Sequence, residues 1–164
     1  ANNGCTTGRP HFAKTMLLKG YVSSVSEAFD RYLGTPEFLE KVERPKPTAV
    51  ESIHLIQAAG GIAVLAHPAK LNLSQPDFLQ LLSTLYEAGL WGIEAYYSTH
   101  SPEEMAWYAA VAAQHGLFCT CGSDFHGEII KPDIALGTGR NHSLCLPDEL
   151  ECQILERFQA ALSK

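Results

Sequence analysis

The chain has 164 residues, 46% of them hydrophobic and 18% charged, which suits a globular domain with a real core and excludes a disordered tract. A net charge of −6 argues against sequence-independent binding to extended nucleic acid, although a local cation can still hold a small phosphorylated ligand. No run of about 18 apolar residues occurs, no signal peptide opens the sequence, and five scattered cysteines form no disulfide framework, so the expectation is cytoplasmic and away from membranes.

In chain order, Arg9 to Lys19 reads as a short helix with Phe12, Met16 and Leu17 on one side and Gly20 as its stop. Ser24 and Glu27 form a capping box for a second helix that Gly34 ends. Residues 35–47 hold three prolines and several charges and read as an exposed connection, so residues 1–47 form a helical lobe with a linker. From Thr48 onward helices and strands alternate. A helix capped by Thr48 and Glu51, with Ala49, Ile53 and Ile56 at helical spacing, runs to Gly60-Gly61. The apolar run Ile62 to Ala66 reads as a strand buried on both faces. A helix from about Pro76 to Ala88 precedes the strand Gly92 to Tyr97. Ser101, Pro102 and Glu104 open a helix to His115, with Ala106, Ala109 and Ala113 on its packing side. Leu117 to Cys121 is a third strand, and Leu144-Cys145-Leu146 a short fourth. Pro147 opens a last helix with Leu150, Ile154 and Phe158 inward. Such alternation implies an α/β fold with a parallel sheet over residues 48–164.

Ligands of parallel sheets collect past the carboxyl ends of the strands. His67 follows the first strand, Glu94 to His100 span the end of the second, and Asp124 and His126 follow the third. Imidazole and carboxylate at three successive strand ends are the donors that divalent transition metals take. The competing reading of each residue is structural. His67 is also a plausible hydrogen-bonded strand-end histidine, Asp124 a turn cap, and Glu94 a buried carboxylate paired with an arginine. Tyr96, Tyr97 and His100 either line the mouth or pack. Cys119 and Cys121 read as core, while His54 and His115 read as helix-surface or packing residues. Arg9 and His11 stand at a helix head, where anion capture and plain solvent exposure are equally natural.

Leu65-Ala66-His67-Pro68, Gly92-Ile93-Glu94 and Gly122-Ser123-Asp124-Phe125-His126 resemble the later motifs of the PHP (polymerase and histidinol phosphatase) family. Gly8-Arg9-Pro10-His11-Phe12-Ala13 resembles the helical insertion of its bacterial branch, the nucleotide bisphosphatases and short-RNA 5′-exonucleases. The resemblance runs from about Thr7 to the C-terminus and implies the later βα units of a distorted, TIM-like (β/α)7 barrel. It also implies up to three divalent ions (Mn, Fe or Zn), with His67, Asp124 and His126 as ligands and Asp124 also orienting the attacking water. Arg9 and His11, with Lys70 as a weaker candidate, would contact substrate phosphate.

The family's opening His-x-His motif does not occur, so the expectation is a chain carrying the later half of the domain. The activity expected of the intact protein is metal-dependent hydrolysis of a phosphomonoester of a nucleotide or short oligonucleotide. Two rivals stand beside it. One is a metal-dependent amidohydrolase; the other is a non-enzymatic half-domain that self-associates or pairs with the missing half along an open sheet edge.

Overall fold

The alternation that begins at Thr48 folds as a parallel sheet with helices packed on it. In a computed structural model, the residues described are 7–42, 46–144, 146–147, 150, 153–156 and 159–160. They fall into two compact units, Ala1–Lys46 with His126–Pro132, and Pro47–Phe125 with Asp133–Lys164.

In the first unit, α1 (Arg9–Leu18) starts at Gly8, whose amide donates to His11 Nδ1 at 3.0 Å. The packing side departs from the expected one at Phe12, which is 55% exposed while Ala13 is fully buried. A small side chain lets neighbouring backbone approach closely, and Met16 and Leu17 pack at its edges. The second helix, α2 (Val25–Ala28), widens into a π-helical turn over Phe29–Leu33 that Gly34 closes. Its capping box is incomplete: Ser24 Oγ accepts from the Glu27 amide, but Glu27 reaches one residue further back, to Ser23. Residues 36–42, expected as an exposed connection, form α3 (Pro36–Val42). Thr35 Oγ1 accepts from the Phe38 amide, Pro36 tolerates the first turn, and Phe38 packs on the small core.

The second unit carries α4 (Ala49–Ala58), with the Thr48–Glu51 capping box complete in both directions. Ile53 is buried, whereas Ile56 is exposed. Three strands, β1 (Val64–Leu65), β2 (Gly92–Tyr97) and β3 (Phe118–Gly122), pair in parallel in that order, with β2 in the centre. The strand expected to be buried on both faces, β1, shrinks to two half-buried residues at the edge of the sheet, paired among the described residues with β2 alone. Between the strands lie a 3₁₀ turn over Pro68–Leu71, α5 (Gln75–Glu87) and α6 (Pro102–Gln114). Residues Tyr108, Val111 and Ala112 form the buried face of α6 with Ala109 packed beside them, whereas Ala106 and Ala113 are exposed. Larger apolar side chains gain more from burial than alanines do. Phe78, Leu82, Ile93 and Ala95 join that face in one core.

A two-stranded antiparallel hairpin, β4 (Ile134–Ala135) with β5 (Gly139–Arg140), follows the third parallel strand. Residues 144 and 146 are not in a strand, and Cys145 lies outside the described residues. Residues 150, 153–156 and 159–160 are helical and Leu150 is buried; Phe158, Cys152 and Cys5 lie outside the described residues. Among the described residues, no helix is long and apolar enough to cross a membrane.

Hydrogen bonds from the Ser23 hydroxyl and amide, and then Arg31, hold the Glu27 carboxyl at about 2 against an ordinary 4.5. Because the folded value is depressed, the stabilisation is present above 4.5 and is lost as pH falls toward about 2. Carboxyl NMR titration should place the Glu27 midpoint in that low range, and Glu27→Gln should remove this part of the acid dependence of unfolding. A midpoint at the ordinary value would contradict the network.

Candidate metal centre

The turn after β1 puts His67 in the left-handed region, at φ 34°. A residue before proline is already disfavoured in the right-handed helical region, and a side chain at positive φ is strained. The turn is held because the His67 amide donates to Glu94 Oε2 at 2.6 Å. This is the partner of the buried carboxylate, in place of the arginine that the sequence allowed. Burial raises the Glu94 carboxyl above its usual range; the His67 amide and the His67 charge oppose this, Asp124 adds to it, and His100 lowers it. Gly122 on β3 makes room for this carboxyl, since a Cβ there would overlap Glu94 Oε1.

The second cluster lies past the other two strands. A register shift between Glu94 and Tyr96 inserts one residue into β2 and sets Tyr97 opposite Gly122, two residues before Asp124. Asp124 is also left-handed, at φ 59°, which aspartate tolerates better than most residues. The Tyr97 hydroxyl donates to Asp124 Oδ2 at 2.7 Å, and Lys70 Nζ stands 3.2 Å from the same oxygen. The Lys70 ammonium also lies 4.9 Å from the Tyr97 ring centre. Burial pulls the Lys70 pKa down, yet the Tyr97 and Asp124 side chains outweigh it and the net shift is upward. Burial raises the Tyr97 phenol.

The Tyr97 ring contacts two imidazoles, His67 at 5.6 Å and His100 at 5.1 Å between centroids. His100 is a buried packing residue whose Nδ1 lies 2.9 Å from the Ala95 carbonyl, with Nε2 buried and without a hydrogen-bond partner among the described residues. Ser98 Oγ donates to the Ser123 carbonyl at 3.0 Å, tying the end of β2 to the loop that carries Asp124.

Thus His67, Asp124 and Lys70 gather around Tyr97, all in the second unit. His126 is exposed and opens the segment that belongs to the first unit. Arg9 and His11 also belong to that unit. Arg9 Nη1 donates to the Leu33 carbonyl at 3.3 Å, at the end of the π turn, and His11 Nδ1 is occupied as an acceptor. Among the described residues, no three His, Cys, Asp or Glu side chains are grouped closely enough to hold a metal. The pair that is gathered suits a divalent metal in kind, with an imidazole, a carboxylate, and a lysine already supplying positive charge to that carboxylate. Cys119 packs against the core. The residue undervalued in the sequence is Tyr97, because strand periodicity gives no sign of the inserted residue that sets its partner.

No family model matches the chain. It is 34% identical to the 3′,5′-nucleoside bisphosphate phosphatase of Chromobacterium violaceum over 118 residues, covering 72% of this chain and 41% of that protein. It is 36% identical to the 5′-3′ exoribonuclease Rnm of Escherichia coli over 126 residues, covering 77% of this chain and 42% of the relative. A solved Bifidobacterium adolescentis structure, described as a metal-dependent phosphoesterase, superimposes with a TM-score of 0.71 at 30% identity, over 95% of this chain and 53% of that one. The chain therefore spans less than half the length of these two curated relatives.

The Gly122 slot yields a test. Gly122→Ala should push the Glu94 carboxyl off the His67 amide and destabilise the fold by about 1–3 kcal/mol, read by denaturant unfolding. An unchanged midpoint would show that Glu94 does not depend on that space.

Proposed function

We propose, from the chain's kinship with bacterial PHP-type phosphoesterases, that it supplies His67 and Asp124 to a divalent metal centre that hydrolyses phosphomonoesters of nucleotides or short oligonucleotides. The observation that carries this reading is the gathering of His67 and Asp124 around Tyr97 at successive strand ends. The names of the relatives, a bisphosphate phosphatase and an exoribonuclease, support the substrate class. On this reading residues 48–164 contribute βα units to a distorted seven-stranded barrel and residues 1–47 are its helical insertion. The match along 95% of this chain to about half of a solved phosphoesterase supports that arrangement.

Mn, Fe or Zn, when bound, supplies Lewis acidity and brings the pKa of water toward neutrality. The roles of the chain's own residues follow from their settings. Asp124 is held by Tyr97 and Lys70, so its carboxylate is oriented before any ligand arrives. It ligates, and orients the attacking water. The half-exposed Lys70 ammonium is a mobile cation for phosphoryl oxygens. Arg9 offers a fork of donors suited to oxyanions. His11 accepts from Gly8 through Nδ1, which places the ring proton on Nε2 as a donor for phosphate.

The test uses the protein expressed from its complete reading frame, with Mn²⁺, on nucleoside 3′,5′-bisphosphate, a 5′-phosphorylated oligoribonucleotide and a simple amide. Metal-dependent phosphate release is expected, falling by about a hundredfold or more in Asp124→Asn and abolished by chelator. Amide hydrolysis without phosphate release would instead establish the amidohydrolase reading. Absence of any hydrolysis, with a metal-free oligomer on size-exclusion chromatography, would favour the non-enzymatic half-domain.

A further inference from the structure

Two donors to Asp124, Tyr97 and Lys70, differ sharply in burial. Tyr97 is 2% exposed, and a buried phenol must find a hydrogen-bond partner. Its partner is Asp124 Oδ2, at 2.7 Å. The ring is hemmed in by His67, tilted 60° to it, by His100 at 63°, and by the Lys70 ammonium. The phenol oxygen is thus fixed by the packing of its own ring. Lys70 is the opposite case: its side chain is 49% exposed and reaches Asp124 from the short turn over Pro68–Leu71. Asp124 lies past the end of β3, outside regular structure and with a left-handed backbone, and the Tyr97 hydroxyl reaches its carboxylate there.

We propose that Tyr97 is the positioning residue of this centre, its buried hydroxyl fixing the Asp124 carboxylate in the orientation in which it ligates metal. The inference rests on the reading of Asp124 as a ligand. Lys70 shares the oxygen but is exchangeable, since an arriving divalent cation repels an ammonium from the same carboxylate. Carboxylates that ligate metal are themselves held by hydrogen bonds, and loss of such a support typically weakens metal binding by roughly 10–100-fold.

Isothermal titration of the protein expressed from its complete reading frame with Mn²⁺ alone tests this, comparing native protein with Tyr97→Phe, Asp124→Asn and Leu82→Ala. Phenylalanine keeps the buried ring and removes only the hydroxyl. The expected result is Mn²⁺ binding lost in Asp124→Asn, weakened roughly 10–100-fold in Tyr97→Phe, and unchanged in Leu82→Ala, whose core cavity lowers thermal stability alone. Binding that depends on Asp124 but is the same in Tyr97→Phe as in the native chain overturns the role of Tyr97 and leaves the metal centre standing. No binding by the native chain, or binding indifferent to Asp124→Asn, overturns the metal centre itself and this inference with it. Equal weakening in Tyr97→Phe and Leu82→Ala assigns the effect to general stability and also overturns the proposal.

Discussion

One hydrogen bond holds the candidate centre in place: the His67 amide to the half-buried carboxyl of Glu94. A carboxyl withdrawn from water needs a donor, and an amide in a left-handed turn needs an acceptor, so each group meets the other's requirement. The bond joins β1 to β2 beyond the last residue of their ladder, where Leu65 pairs with Ile93. Without it nothing in that ladder would keep the His67 imidazole beside Tyr97.

The third strand contributes by omission. Gly122 leaves the space that the Glu94 carboxyl occupies, and the register shift in β2 then turns Tyr97 toward the loop after β3. Two left-handed residues that are not glycine, His67 and Asp124, thus come to flank one tyrosine. Strain of this kind persists only where surrounding bonds over-determine the backbone, and it clusters at functional sites. Here the bonds are identifiable: the Glu94 carboxyl for His67, and the Ser98–Ser123 link beside Asp124.

The sequence was legible where local chemistry decides structure. Thr48–Glu51 and Ser101–Glu104 are reciprocal capping boxes, and both helices begin where those residues require. The run Gly92 to Tyr97 is a strand over its full extent because it is paired with a neighbour on each edge. It was illegible where distant residues decide. Thr35-Pro36 caps a helix in a stretch whose prolines and charges suggest a linker, and packing of Phe38 settles the matter. Of the α6 alanines expected inward, Ala109 packs on the core, but Ala106 and Ala113 are exposed because Tyr108 and Val111 take it. The hairpin at 134–140 has strands of two residues each, too short for any periodicity. The strand ends bearing His67 and Asp124 could be read from residue type and position; the hydrogen-bond partners that orient them come from 27 and 54 residues away in the chain and could not.

The central claim is that His67 and Asp124 share one cation. Crystals soaked in Mn²⁺ and measured at the manganese absorption edge test it most directly. The account predicts a single anomalous peak within about 2.0–2.2 Å of both a His67 ring nitrogen and an Asp124 carboxylate oxygen, with Lys70 displaced from Asp124. Anomalous density that touches neither side chain, with the Lys70–Asp124 ion pair intact, would contradict it.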